Sequence, residues 1–312
     1  MKIEKYKLGD ERYILELFEL AFGKKMTLEY WNWRFKNNPF GQNPMIHLMW
    51  DDEKLVGHYA ISPVEMLVDD EIHKTALSMT TMTHPEYGGR GIFSQLAQSL
   101  YNELKDEHGY SMVWGFPNNN SHYGFIKNLN WYDIADIPFL ALDVTRLKKI
   151  EIQEYKLHEN FSKEIVLLLN TNNISRLRVN KNLDYLQWRY IDNPSANYRI
   201  LVLDEEGAVI VYKMITSDTG IKEVDIMEIY FNKNMDLLLK LLNAVLFEEG
   251  NDIVKFNIWS SLFSTDYSIF EKCGFIHQAP LTYLGASSFD NKKSVVGDYR
   301  NWDIGFGYSD VF

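Results

Sequence analysis

The chain has 312 residues, room for one large domain or two ordinary ones, and its 46% hydrophobic and 24% charged content is that of a protein with a buried core. A formal net charge of −11 with scattered lysines shows no basic face for nucleic acid or anionic lipid and suits an amine-bearing substrate. The single cysteine, Cys273, excludes a disulfide framework and a cysteine-based metal site; no metal is expected, and the missing signal peptide and membrane-length apolar segment point to the cytoplasm.

In chain order, residues 11–22 place Tyr13, Ile14, Leu17, Phe18 and Phe22 at helical spacing. The block from Tyr30 to Pro39 reads Y-W-x-W-R-F-x-x-N-P. Its aromatics suit a helix packed on a sheet, Arg34 is placed to pair with a carboxylate, and Asn-Pro ends the helix. Residues 45–49 and 56–61 read as paired strands around the turn Asp51-Asp52-Glu53, and 73–83 as a further extended run. An amphipathic helix over 91–104 carries Ile92, Leu96, Leu100 and Leu104 on one face. A strand at 112–116 and a helix at 121–128 follow, giving the order β-α-β-β-β-α-β-α-β.

The second half repeats this plan. Tyr185 to Pro194 reads Y-L-x-W-R-Y-x-x-N-P, sharing Tyr, Trp, Arg, Asn and Pro in register with the first block. Tyr6-Lys7-Leu8 recurs as Tyr155-Lys156-Leu157, and Asp51-Asp52-Glu53 as Asp204-Glu205-Glu206. Tyr123 and Trp131 are mirrored by Tyr267 and Phe275, which favours a packing role for both tyrosines. Matches in the same order predict tandem domains, 1–150 and 151–312, joined by the polar connector Thr145–Lys149.

Chemistry concentrates in Thr81-Met82-Thr83-His84-Pro85-Glu86-Tyr87-Gly88-Gly89-Arg90-Gly91-Ile92, between a strand and a long helix. The glycines permit tight backbone geometry, and the N–H groups running into a helix start form an anion site aided by the helix dipole. A pyrophosphate is the natural occupant. Strand, Pro-Glu-Tyr-Gly-Gly-Arg-Gly-Ile and amphipathic helix together resemble the acetyl-CoA signature of the GCN5-related N-acetyltransferase (GNAT) superfamily. In that motif, Gln/Arg-x-x-Gly-x-Gly/Ala, the fixed positions fall on Glu86, Gly89 and Gly91; Glu86 departs from Gln/Arg, and Phe93 stands where a small residue is common.

The resemblance extends to Asn118–Trp131, similar to the family's second cofactor segment. It implies contacts to acetyl-CoA from Met82, Thr83, Glu86, Tyr87, Gly88, Gly89, Arg90, Gly91, Ile92, Asn119, Ser121 and Phe125. The tyrosine that in the family protonates the leaving thiolate aligns with Ile126; Tyr123, about one turn earlier, is the substitute. The oxyanion donor is a backbone amide within 81–83. His84 is the candidate general base, with Glu65, His58 or a base acting through water as alternatives.

The fold class implied is α/β (α+β): two tandem GNAT-like domains, each a mixed, mostly antiparallel sheet flanked by helices. The second half has no glycine over 226–235 and lacks the phosphate loop. The tail from Trp302 to Phe312 reads as a terminal strand, with Asp303 and Asp310 as candidate amine ligands or as parts of an edge that seals the second sheet. The leading reading is transfer of an acetyl group from acetyl-CoA to an amine of a small molecule or amino sugar. Two others stay open: an acyl-CoA-binding protein with impaired catalysis, and an aminoacyl transferase of the tandem GNAT-like type, which would profit from a basic surface that −11 does not supply. The acceptor and the oligomeric state are not legible.

Overall fold

The structure, a computed structural model, describes residues 1–309 except Gln42, Gln153, Asn172, Asn251, Asn291 and Lys292; Asp310, one of the candidate amine ligands, lies outside the described residues. The elements in the first part of the chain are β1 (Lys2–Lys5), α1 (Glu11–Phe22), α2 (Leu28–Phe35), β2 (Met45–Asp51), β3 (Lys54–Val68), β4 (Glu71–Thr83), α3 (Ile92–Asp106), β5 (Met112–Gly115) and β6 (Tyr132–Asp143). Then come β7 (Lys156–His158), α4 (Lys163–Asn170), β8 (Leu177–Val179), α5 (Leu183–Leu186), β9 (Tyr198–Leu203), β10 (Ala208–Thr216) and β11 (Lys222–Tyr230). The last are α6 (Met235–Glu249), β12 (Ile253–Ile258), α7 (Tyr267–Cys273), β13 (Ile276–Ser288) and α8 (Lys293–Val296). The architecture is mixed α/β, with mostly antiparallel strands flanked by helices. Among the described residues, no helix is long and apolar enough to cross a membrane.

Two compact units form, and they do not part at a single point near residue 150. The first unit is Met1–Ala135 with Tyr283–Tyr299; the second is Asp136–Thr282 with Arg300–Phe312. The expected connector at residues 145–149 lies inside the second unit, because Leu147 is buried in that unit's core with Leu140 and Leu142.

In the first unit the strands run β1-β2-β3-β4-β5, completed by residues 285–288 of β13. All neighbours are antiparallel except β4 and β5, which are parallel and linked through α3. One face packs on α3 through Val56, Tyr59, Ile61, Leu96 and Leu100, the other on α1 and α2 through Ile14, Trp31, Phe35, Leu55 and Ala60. Along β3 the alternation breaks between Val56 and Tyr59, where the β3–β4 register shifts between His58 and Ala60. That shift is a β-bulge, an inserted residue that re-aims everything beyond it.

The second unit repeats the wiring: β7-β9-β10-β11-β12 and the end of β6, with β11 and β12 the parallel pair linked through α6. Its ladder also shifts register, between Val211 and Tyr212, so Met227 of β11 is the extra residue. The tail departs from the expected terminal strand. Trp302 makes a single bridge to Leu177 and Phe306–Tyr308 is one 3-10 turn, yet Trp302, Phe306 and Tyr308 are buried. Gly307 explains the local choice. A Cβ there would lie 2.2 Å from the Tyr190 hydroxyl and 2.5 Å from Glu228 Oε1, so only glycine lets the turn approach those side chains.

Candidate active site

The phosphate-binding candidate is built by how α3 begins. Gly89 and Gly91 adopt φ of 75° and 72°, in the left-handed region that favours glycine. Gly91 is the N-cap, so no side chain bonds the first helical N–H groups, and no acidic residue sits in the first turn. The start of this 15-residue helix therefore offers several N–H donors and the positive end of its dipole without internal competition. A Cβ at Gly89 would meet nothing within 4 Å, so the loop faces open space. These features fit a pyrophosphate.

The loop is tethered on its other side. Tyr87 donates its hydroxyl to Asp51 at 2.8 Å, and its ring lies under Lys54 and Arg90, at 5.3 and 4.5 Å. Lys54 reaches Glu86 at 3.0 Å and holds that carboxyl below its ordinary range. Glu86, aligned with a motif position, is thus turned toward the β2–β3 hairpin. The height of α3 over the sheet is set by Gly57 of β3, where a Cβ would come within 2.3 Å of Ile92. A lone glycine inside a strand was the available signal for that close approach.

Next to the loop, β4 is distorted. Thr80 has φ 49°, a left-handed conformation that costs a β-branched residue on the order of 1–2 kcal/mol. His58 compensates from β3: it is fully buried and its Nδ1–H donates to the Thr80 carbonyl at 2.7 Å. Burial drives the His58 pKa down to about 4, so the ring is neutral near pH 7. β4 and β5 are paired only from Thr75–Met112 to Leu77–Trp114, and beyond that β4 bulges while β5 ends at Gly115. The backbone of 81–83 sits at this divergence, with Met82 buried against the α1–α2 core and Thr83 opposite Gly57.

His84 is buried, and its Nδ1 accepts the N–H of Glu86 at 3.2 Å, capping the turn Pro85–Tyr87. Glu65 stands across from Lys74, near the β3–β4 turn and several residues from the bulge. The second segment begins with Asn118, whose side chain accepts the N–H groups of Asn120 and Ser121. Asn119 is exposed, and Ser121 bonds back to Asn118. Gly124–Asn128 forms a π-helical turn rather than an α-helix, so counting back from Trp131 by α-helical spacing does not place side chains there. Phe125 packs between Phe93 and Trp131, bringing this segment onto the first turn of α3, and Ile126 packs against the same core.

Tyr123 is 70% exposed, whereas Tyr267 is 7% exposed and bonded to His277, so the repeated tyrosines have different surroundings. One contact was not foreseen. The His122 ring stacks on Tyr283 at 3.9 Å and bonds Asp133 at 2.9 Å. Nothing in local spacing could reveal it, because Tyr283 returns from the far end of the chain.

The second unit differs where the first is open. α6 starts with Asn234 capping Asp236 and has that acid in its first turn, which satisfies the helix end internally. Beside its bulge, Glu228 is buried and takes hydrogen bonds from Tyr190 (2.7 Å) and Lys181 (2.6 Å). Asp303 lies 3.8 Å from Lys181, so the amine it faces belongs to this chain. Arg189 donates to Gly307 O, Tyr198 Oη and Ser309 O, so the second tryptophan-arginine block holds the tail. In the first block, Arg34 is buried with Nε directed at Met79 Sδ.

Residues 2–133 match the profile of the Acetyltransferase (GNAT) domain. No curated protein sequence matches the chain. Among solved structures, a GCN5-related N-acetyltransferase from Anabaena variabilis aligns with TM-score 0.68 at 12% identity, covering 94% of this chain and 74% of its own. One from Kribbella flavida gives 0.67 at 13%, with 95% and 73% covered. A conserved protein from Enterococcus faecalis V583 gives 0.68 at 13%, with 92% and 72% covered. Residues 2–133 are therefore similar to the GNAT acetyltransferase domain, and over nearly its whole length the chain has the fold of solved GCN5-related N-acetyltransferases.

Proposed function

We propose that this protein transfers an acetyl group from acetyl-CoA to a primary amine, with the cofactor held by the first unit. The observation that carries the reading is the uncapped start of α3 behind Gly88–Gly91, set beside the β4 bulge. The loop amides and the helix dipole would receive the pyrophosphate, and the Asn118–Phe125 segment would flank the pantetheine. An N–H of 81–83, beyond the last β4–β5 pair, would stabilise the oxyanion as the amine attacks the thioester. Tyr123, exposed on the second segment, is accessible to a leaving thiolate; His84 serves as base only if it leaves its capping bond. The capped, acidic start of α6 supports one cofactor site per chain.

Calorimetric titration with acetyl-CoA, followed by thiol release across a panel of polyamines, amino sugars and peptide N-termini, tests this. One site per chain and release with at least one amine are expected. Binding without release would leave an acyl-CoA-binding protein, and absence of binding would sink both readings.

A further inference from the structure

His122 stands out among the titratable side chains of the first unit. His58 is sealed in the core and His84 is occupied by the Glu86 N–H, whereas the His122 side chain is 23% exposed. Its ring is fixed from two sides, by the stack on Tyr283 and by the bond from Nε2 to Asp133 Oδ1 at 2.9 Å. A carboxylate on one ring nitrogen sets the tautomer and leaves the lone pair on the other. Among the described residues, Nδ1 has no hydrogen-bond partner.

Position supports function. Gly124, two residues on, lies against the first turn of α3, its Cβ position 3.0 Å from the Phe93 ring. Tyr283 is two residues from Gly285, which pairs with Gly115, the last residue of β5. The dyad therefore sits past the end of β5, where β4 and β5 part. Among the described residues, the titratable groups in contact with the His122 ring are Asp133 from β6 and Tyr283 from β13.

Resting on the acetyl-transfer reading, we infer that His122 is the catalytic acid–base of the reaction and Asp133 its positioning residue. As the amine nitrogen bonds the thioester carbon, the carbonyl pair moves to oxygen and one nitrogen proton passes to His122 Nδ1. When the tetrahedral adduct collapses, the C–S bond breaks with its pair on sulfur. Nδ1 then returns the proton to the thiolate, leaving amide, free thiol and neutral imidazole.

The test uses the full chain, acetyl-CoA and the best amine of the panel, with thiol release followed across amine concentration. His122→Gln should lower kcat by about 100-fold or more, with the KM for the amine and the acetyl-CoA Kd unchanged. Asp133→Asn leaves the ring unoriented and should lower kcat by a smaller factor, again with KM and Kd unchanged. A His122→Gln variant with wild-type kcat overturns the inference alone. A wild type that releases no thiol with any amine overturns the transfer reading itself, and this inference with it.

Discussion

His58 turns a local backbone distortion into a pH-dependent stability. Its folded-state pKa is near 4 against an ordinary 6.5, so between those values the unfolded chain binds a proton that the folded one refuses. The contribution is complete above pH 6.5 and is lost as pH falls toward 4, to the extent of about 3 kcal/mol. Urea midpoints measured between pH 7 and 4 should fall accordingly. In His58→Leu this part of the slope should vanish, and an unchanged slope would show that the acid sensitivity arises elsewhere. The variant should also lose turnover, because the Thr80 carbonyl loses its buried donor and the bulge its support. None of this was legible in the sequence. Threonine is a poor marker for a left-handed residue, and a histidine in a strand gives no sign of which face it takes once a bulge has flipped the alternation.

At the scale of elements, α3 is held in tension between two demands. Its bare, glycine-led start is a weak beginning for a helix but a good receiver of anions. Ser94→Asp should therefore separate stability from function. An acid in the first turn gains roughly 0.3–1 kcal/mol of helix stability, whereas acetyl-CoA binding should weaken at least tenfold at low salt. Thermal melts and calorimetric titration on one preparation read both, and a parallel change in the two would contradict the anion-site reading. Gly57→Val attacks the same helix from below. With a Cβ due 2.3 Å from Ile92, α3 must lift, at about 1–3 kcal/mol of overpacking and with loss of cofactor affinity. Here the sequence was informative. Glycine spacing and the apolar row Ile92, Leu96, Leu100 and Leu104 give the loop and helix directly, since both are local codes. The segment after β5 was harder. Its π-helical turn breaks the periodicity on which the alignment of Ile126 depends, so the geometry around His122 emerges only in three dimensions.

Across the whole molecule, two units share one wiring but differ in what fills the ground beside the bulge. In the second unit that ground holds Glu228, Lys181 and the tail. Burial alone would lower the Lys181 pKa, but the charges of Glu228 and Asp303 raise it, so the ammonium is retained. Gly307→Ala should drive a methyl into the Tyr190–Glu228 bond and destabilise the second unit by roughly 2–3 kcal/mol. Scanning calorimetry should show a lowered transition with the acetyl-CoA Kd intact; an equal loss of affinity would mean that the units do not act separately. The repeated tryptophan-arginine blocks announced this doubling in the sequence. The boundaries could not be read there, because strand exchange along the chain leaves no compositional mark.

The membership of Tyr283–Tyr299 in the first unit bears on how the protein is made. During translation the amino-terminal part cannot finish its sheet when its own residues emerge, for β5 must wait for residues 285–288. Until then a hydrogen-bonding edge stays open on a nascent chain, the kind of surface that recruits chaperones or pairs wrongly with a neighbour. A fragment ending near residue 150, the natural choice for a cloner reading the repeat, would be born with that edge exposed for good.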